Sequence, residues 1–150
     1  MIVKVCLATG ARWGEAERLT RPQLSPCKLT FTKTKGKKNR TVPIPKWLYD
    51  ELSERQGRMF KPCYQDFKKM LKLTNIELTE GQKTHVLRHT FGAHFMMNGG
   101  NILVLQKILG HANIRETMKY AHFAPDHLEQ AVTLNPLSLY VGDDMAAELA

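Results

Sequence analysis

The sequence has few cysteines and none of the spacings that bind zinc. Cys6, Cys27 and Cys63 are odd in number and far apart in the chain, so we expect reduced thiols rather than a disulfide framework or a zinc knuckle. His85 and His89 stand four residues apart, as helical zinc ligands do, but no Glu follows His85. The metalloprotease pattern is therefore not met, and we predict no metal site.

Long apolar runs are also lacking. No stretch approaches the roughly 20 apolar residues that cross a bilayer, and the start of the chain lacks the charged, apolar and cleavage regions of a signal peptide. We therefore expect a cytoplasmic protein with no membrane partner. With 150 residues, 43% of them hydrophobic, the chain suits one domain with a single core. Apolar residues follow Met1 at once, and we expect the sequence to be a piece of a longer protein.

Acidic residues are scarce in the first half of the chain. Residues 1–75 carry 17 Lys or Arg against 6 Asp or Glu, residues 76–150 carry 5 against 8, and the net charge is +8. A basic excess confined to one half is typical of a protein that binds a polyanion, most often nucleic acid. Charge alone leaves an ordinary basic protein open as an alternative.

Periodicity and helix-stop signals predict an α+β fold that is mainly α-helical. A buried helix over 2–9 ends at Gly10, and a short helix follows at about 13–19. Residues 28–32 and 40–44 alternate apolar and polar side chains, which predicts a small antiparallel β-hairpin. Further helices are expected at about 46–55, 63–73, 84–98, 102–109, 114–121 and 126–134.

The turn of this hairpin is strongly basic. Five cations lie within eight residues: Lys33, Lys35, Lys37, Lys38 and Arg40. Gly36 and Asn39 favour a flexible turn that reaches a partner, whereas the alternative is a solvated turn that keeps a strand edge soluble. The candidate DNA-binding residues are Lys33, Lys37, Lys38 and Arg40.

A further set of residues has the chemistry that metal-free attack on a phosphodiester needs. It comprises two guanidiniums, one ammonium, two imidazoles and one phenol: Arg12, Arg88, Lys35, His85, His111 and Tyr120. Cations stabilise phosphate oxygens, imidazoles carry protons and a phenol supplies a nucleophile. Each residue also has a structural alternative, namely an arginine at a helix end, a surface His–Arg pair, a histidine cap or a core tyrosine. Together they predict a DNA-strand transferase.

Four sequence blocks hold most of this set. They are Ala8-Thr-Gly-Ala-Arg12-Trp-Gly-Glu15, Thr84-His85-Val-Leu-Arg88-His89-Thr90-Phe91, Ile108-Leu-Gly-His111 and Thr117-Met-Lys-Tyr120. In order and approximate spacing they resemble the catalytic domain of the tyrosine recombinases, and most closely a temperate-phage integrase. The resemblance implies a catalytic domain over 1–135, without the family's N-terminal parts, and a C-terminal tail over 136–150.

The resemblance implies a role for each residue of the set. Arg12 and Arg88 would grip the non-bridging oxygens of the scissile phosphate, because planar guanidiniums fit phosphate in a bidentate manner. His111 would be a further phosphate-binding donor. Tyr120 would attack the phosphorus, and His85 would aid proton transfer at the phenol.

Two more assignments follow from the same resemblance. Lys35 stands eight residues before Pro43 and would protonate the departing 5′ oxygen. Its competitors for this role are Lys33, Lys37 and Lys38. Glu15 would support Arg12 without a chemical role. The implied reaction cuts and rejoins DNA through a 3′-phosphotyrosyl intermediate, for phage integration and excision, with no metal, ATP or other cofactor.

The implied partners are double-stranded DNA attachment sites and other copies of the chain. Four protomers would assemble on two duplexes, with a monomer as the alternative for the isolated domain, and the implied location is the bacterial host's cytoplasm at the nucleoid. Three alternative functions use similar residues or surfaces: a chromosome-dimer-resolving recombinase, a type IB topoisomerase-like strand transferase and a non-catalytic DNA-binding module.

The tail has the pattern of a strand with one face to bury. Leu137, Leu139 and Val141 alternate with Ser138 and Tyr140. Such a segment adds to the edge of its own sheet or to that of a neighbouring protomer. The resemblance favours exchange between protomers.

Overall fold

The computed structural model describes residues 1–32, 39–78 and 82–138 of the chain. Within these ranges the protein is mainly helical and has one three-stranded antiparallel sheet, so the expected α+β fold class is confirmed. The helices are α1 Ile2–Thr9, α2 Trp13–Glu17, α3 Lys46–Ser53, α4 Tyr64–Lys72, α5 His85–Met97, α6 Ile102–Leu109, α7 Arg115–Met118 and α8 Gln130–Thr133. The strands are β1 Leu24–Ser25, β2 Lys28–Phe31 and β3 Arg40–Pro43. Across the described ranges, no helix has the length and apolar character needed to span a bilayer.

The sheet has the strand order β1-β2-β3. Leu29 pairs with Val42, and Phe31 pairs with Arg40, across the hairpin. All four residues are buried, because alternate residues of a strand share one face and this face packs on the core. The basic turn at 33–38 lies outside the described residues. β1 is too short to show an alternating pattern, so the sequence does not predict it.

Helix α5 joins two clusters of buried apolar side chains. Leu87, near its start, belongs to the larger cluster, to which α1, α2, the sheet and α3 contribute. Met96, near its end, belongs to a smaller cluster with Leu105, Leu109 and Tyr120. Since both clusters are packed, the side chains of α5 keep fixed positions relative to the rest of the domain.

Glycines in the left-handed conformation end α1 and α6. Gly10 has a φ of 64° and Gly110 a φ of 67°, a backbone geometry that favours glycine. At the start of α6, the side chain of Asn101 accepts hydrogen bonds from the backbone N–H groups of Leu103 and Val104. These capping residues explain why the bounds of α1 and α6 agree with the sequence-based ones.

The helix expected at about 114–121 is shorter in the structure. α7 ends at Met118, and a 3₁₀ turn follows at Ala121–Phe123. Tyr120 lies between them, is only 3% exposed and packs its ring against α5. The early end of α7 is what turns this side chain into the core.

The helix expected at about 126–134 is confined to α8, so its predicted start is wrong. Leu128 and Val132, two apolar residues of the expected helix, are 77% and 68% exposed. A short helix without a packed face has little stability of its own, which explains the difference. The strand expected in the tail falls largely on residues after 138, outside the described residues.

Gly92 on α5 makes room for the ring of Tyr120. A Cβ at this position would lie 2.7 Å from Cε1 of Tyr120, closer than real contacts allow. Glycine inside a helix costs about 1 kcal/mol relative to alanine, so this close approach explains why glycine is tolerated here. The ring of Tyr120 and the backbone of α5 therefore fix each other's positions.

We expect Gly92→Ala to lower the free energy of unfolding by roughly 1–3 kcal/mol, the usual cost of overpacking a core. Urea unfolding measures this change. The matched control is Gly14→Ala on α2, where the new Cβ meets only the far end of the flexible Arg18 side chain. The control should be neutral or slightly stabilising, and equal stability of the two variants would contradict the packing role of Gly92.

Candidate active site

The guanidinium of Arg88 is buried where the C-terminal ends of α1 and α6 meet. Its Nη1 donates to the carbonyl of Gly10 at 2.8 Å, and its Nη2 donates to the carbonyl of Leu109 at 2.7 Å. Carbonyls at helix ends lack intrahelical partners and carry partial negative charge, so they suit a cation. These two bonds fix the direction of the guanidinium and leave it further donors.

The carboxylate of Glu15 joins two other guanidiniums. Arg40 donates to it from Nη1 at 3.1 Å and from Nη2 at 2.7 Å, which is a bidentate pair. Arg12 donates from Nη1 at 3.2 Å and from its backbone N–H at 2.9 Å. Burial on its own would raise the pKa of Glu15, but the bonds and charges of Arg40 and Arg12 lower it to about 2. Glu15 is therefore ionised at neutral pH.

Arg40 lies in the interior rather than on the surface. Its side chain is 7% exposed, and its guanidinium carbon lies 4.7 Å from the centroid of the Phe31 ring. Its Cδ packs on Gly110, where an added Cβ would lie 3.1 Å away. The prediction that Arg40 contacts DNA does not fit this burial. The physical reason is that Arg40 shares the core-facing side of β3 with Val42.

Three guanidiniums thus surround one carboxylate. Burial, followed by the charges of Arg12 and Arg40, lowers the pKa of Arg88 from 12.5 to about 10. Arg88 remains charged at neutral pH, so the cluster keeps an excess of positive charge. Arg12 is the partly exposed member, its side chain being 31% accessible. An anion bound beside Arg12 and Arg88 would relieve the repulsion among these groups.

His111 follows the glycine that ends α6. Its Nδ1 lies 2.9 Å from the hydroxyl of Thr117, which is fully buried on α7. Burial, followed by the charge of Arg88, lowers the pKa of His111 from 6.5 to about 4, so the ring is neutral at neutral pH. We assign the Thr117 hydroxyl as the donor to Nδ1, which leaves the Nε2–H of His111 to donate to a ligand.

The hydroxyl of Tyr120 lies 2.9 Å from Nδ1 of His89. Burial raises the pKa of Tyr120 from 10.0, while the charge of Arg88 acts in the opposite direction. Burial, followed by the charge of Lys119, lowers the pKa of His89 from 6.5. At neutral pH the phenol is therefore protonated and the imidazole neutral. The phenol donates this hydrogen bond and Nδ1 accepts it.

His85, the other histidine of α5, is exposed at the first residue of the helix. It stands one turn before His89, so both side chains lie on the same face of α5. His85 is among the charged groups that lower the pKa of His89. The remaining candidates from the basic turn lie outside the described residues: Lys33, Lys35, Lys37 and Lys38.

Sequence reasoning missed two residues of this region. Thr117 orients His111, and His89 binds the hydroxyl of Tyr120. His89 did carry a signal, because it directly follows Arg88 in its block. Its pairing with Tyr120, 31 residues away in the chain, depends on tertiary packing that no local pattern encodes.

The side chains of this region suit an anion better than a cation. Among the described residues, no group of three or more His, Cys, Asp or Glu side chains is placed to hold a metal ion. The acidic group nearest the guanidiniums, Glu15, is already bound by Arg12 and Arg40. Arginines, a neutral histidine and a phenol are the groups that remain to contact a ligand.

Several known proteins are similar to this chain in sequence or in fold. The chain is 64% identical over 137 residues to the integrase of Escherichia phage 186, an alignment that covers 91% of this chain and 41% of that protein. The solved catalytic domain of the bacteriophage HP1 integrase matches with a TM-score of 0.87 and 63% identity, over 91% of this chain and 82% of that one. The XerH site-specific recombinase, solved bound to its palindromic difH substrate in a post-cleavage complex, matches with a TM-score of 0.62 and 24% identity, over 88% and 44% of the two chains.

These likenesses differ in what they establish. The likeness to XerH concerns the fold alone, whereas the two phage proteins match in sequence as well. The chain spans about 41% of the length of the curated integrase from phage 186. A match to the phage integrase family extends over residues 1–127 and so includes Arg12, Arg88, His111 and Tyr120. The resemblance seen in the sequence is thereby confirmed, and the chain belongs to the phage integrase family.

Proposed function

We propose that this chain is the catalytic part of a site-specific DNA recombinase that cuts and rejoins DNA for phage integration and excision. The observation that carries the proposal is the position of the Arg88 guanidinium. The charge of Arg12 acts on this guanidinium, and the charge of Arg88 acts in turn on His111 and on the phenol of Tyr120. A phosphate, a donor and a nucleophile can therefore meet at one point of the domain.

The phosphate would lie between Arg12 and Arg88. Each guanidinium has donors directed by a fixed partner, Glu15 for Arg12 and two helix ends for Arg88. The Nε2–H of His111 adds a neutral donor. Donors fixed in advance stabilise the charge that develops on the non-bridging oxygens in the transition state.

The reaction would consist of two transesterifications of similar energy. In the first, the Oη of Tyr120 attacks the phosphorus, a 3′-phosphotyrosyl bond forms and the 5′ oxygen leaves. In the second, a 5′ hydroxyl of the partner strand attacks the same phosphorus and Tyr120 leaves. The bond energy is kept in the covalent intermediate, so this chemistry needs no ATP. Lys35, outside the described residues, would protonate the departing 5′ oxygen.

Double-stranded DNA would bind along the basic first half of the chain. The proposed phosphate contacts are Lys33, Lys37 and Lys38, from the segment of the sequence between β2 and β3. The fold relative XerH has been solved bound to its difH substrate, which supports DNA as the partner of this fold. Acting on a phage attachment site in a bacterial host, the protein would work in the cytoplasm at the nucleoid.

Assembly of four protomers on two DNA duplexes is part of the proposal, with the tail over 136–150 exchanged between neighbours and 1–135 as the catalytic domain. Exposed apolar side chains near the tail support this arrangement. Leu128, Leu134 and Leu137 are 77%, 75% and 67% exposed, and burial of such surface is favourable. A monomer is the alternative for the isolated domain.

The direct test of the function is Tyr120→Phe. Phenylalanine keeps the ring that packs on Gly92 but removes the nucleophilic oxygen, so the variant should bind DNA normally and form no covalent adduct. A nicked suicide substrate that traps the 3′ adduct shows the difference on a denaturing gel. Tyr49→Phe, on α3 and packed at the larger core cluster, is the matched control and should cleave normally. An adduct that persists in Tyr120→Phe would refute the assignment of the nucleophile.

A second test concerns the general acid. Lys35→Ala should block cleavage of a normal strand, and a substrate with sulfur in the 5′-bridging position should restore it, because sulfur is a far better leaving group and needs no proton. Lys37→Ala and Lys38→Ala should instead weaken DNA binding. Each lost phosphate contact should also reduce the slope of the logarithm of the binding constant against the logarithm of salt concentration by about 0.9 in magnitude. Rescue by sulfur of the Lys33→Ala or Lys37→Ala variant, in place of Lys35→Ala, would assign the acid to that residue.

A further inference from the structure

The His89 imidazole contacts the reacting atom of the proposed nucleophile. Its Nδ1 lies 2.9 Å from the Oη of Tyr120, and the two ring centroids are 5.8 Å apart. Both partners have fixed positions, because His89 belongs to α5 and the ring of Tyr120 packs on Gly92 of the same helix. The contact is therefore built into the packing of α5 against the chain around Tyr120.

We propose that His89 is the general base of the strand-cleavage step and takes the proton of Tyr120 onto its Nδ1. This inference rests on the function proposed above. It assigns the proton transfer to His89 rather than to His85, the residue for which the family resemblance implies this role. The structure places His85 one turn earlier and exposed, whereas His89 already holds the hydrogen bond that a base requires.

The proton and the bonds balance in both steps. During cleavage, Oη forms its bond to phosphorus, its O–H bond breaks, and the proton moves to Nδ1 of His89. The bond from phosphorus to the 5′ oxygen breaks, and that oxygen takes a proton from Lys35. During rejoining, the attacking 5′ hydroxyl returns a proton to Lys35, and the imidazolium of His89 returns its proton to the leaving oxygen of Tyr120.

The charges around His89 determine when this transfer occurs. The groups that face it are Lys119 after α7, and His85 and Arg88 on α5. Burial, followed by these groups, lowers the pKa of His89 and so disfavours a lasting imidazolium, and burial keeps the phenol of Tyr120 protonated. Transfer before the attack would be unfavourable. It becomes favourable as Oη bonds to phosphorus, when the phenol becomes more acidic and the negative charge of the phosphate stabilises the imidazolium.

A cleft of about 360 Å³ opens beside this pair. Its lining residues are His89, Thr90, Ala93, Lys119, Tyr120 and Phe123. The cleft is large enough to admit a small molecule such as imidazole. A variant that lacks the His89 ring therefore offers a site in which an added base can replace it.

The test compares His89→Asn and His89→Ala with the control His94→Asn in the 150-residue chain. Asparagine keeps an acceptor near the position of Nδ1 but cannot take a proton, and His94 is exposed on α5. Formation of the covalent adduct on a suicide substrate is followed in a single turnover between pH 5 and 8, at saturating DNA. DNA affinity and thermal unfolding of each variant are measured in parallel.

We expect His89→Asn to bind DNA normally and to cleave about 10²-fold more slowly, the lower end of general-base effects. In the wild type, the rate should rise with pH through the pKa of His89, which lies below its usual 6.5, because only the neutral ring accepts a proton. This rise should disappear in His89→Asn and remain in His94→Asn. Added imidazole should accelerate His89→Ala.

The outcomes separate this inference from the function on which it rests. A wild-type chain that forms no adduct, like Tyr120→Phe, would refute the proposed function and this inference with it. A wild-type chain that cleaves, together with a His89→Asn variant of unchanged rate and pH profile, would refute the role of His89 alone. A slow His89→Asn variant that keeps the wild-type pH profile, with no imidazole rescue of His89→Ala, would also refute it, since His89 would then act only through packing.

Discussion

An excess of buried positive charge is the constraint on which this domain depends. Arg12, Arg40 and Arg88 lie around one carboxylate, that of Glu15, and burial, followed by the charges of Arg12 and Arg40, lowers the pKa of Arg88 to about 10. Charges in such a position require partners. Glu15 pairs with two of the arginines, and the carbonyls at the ends of α1 and α6 accept hydrogen bonds from the third. The charge that remains is what a phosphate would neutralise, so the same interactions stabilise the fold and prepare the site.

Helix α5 positions most of the side chains of the site. Successive residues of this helix point in different directions, so Arg88 binds the ends of α1 and α6 while His89 binds the hydroxyl of Tyr120. One turn further on, Gly92 receives the ring of Tyr120. A change in the position of α5 would therefore move the guanidinium, the imidazole and the phenol together. This shared support is the physical link between core packing and chemistry.

Local signals predicted much of the fold and part of the site. The sequence predicts the bounds of α6 because Asn101 caps its start and Gly110 ends it. Both roles involve only backbone groups that are near in the chain. By contrast, the apolar residues of the helix expected at about 126–134 are left exposed by the part of the chain that the structure describes, and periodicity cannot show whether a partner surface exists. Arg40 reads as one more cation of a basic turn, yet it shares the buried face of β3 with Val42 and binds Glu15, 25 residues away. Such pairings depend on tertiary packing rather than on local pattern.

We propose that Arg40 acts on the site through Glu15 and Arg12, and not by contact with DNA. The most direct measurement compares Arg40→Met with Lys37→Ala, recording single-turnover cleavage at saturating DNA and the salt dependence of DNA affinity, with circular dichroism to verify folding. Folded Arg40→Met should cleave slowly with an unchanged salt dependence of DNA affinity, whereas Lys37→Ala should cleave normally with a reduced salt dependence. A reduced salt dependence with normal cleavage in Arg40→Met would place its guanidinium on the DNA backbone and refute its action through Glu15.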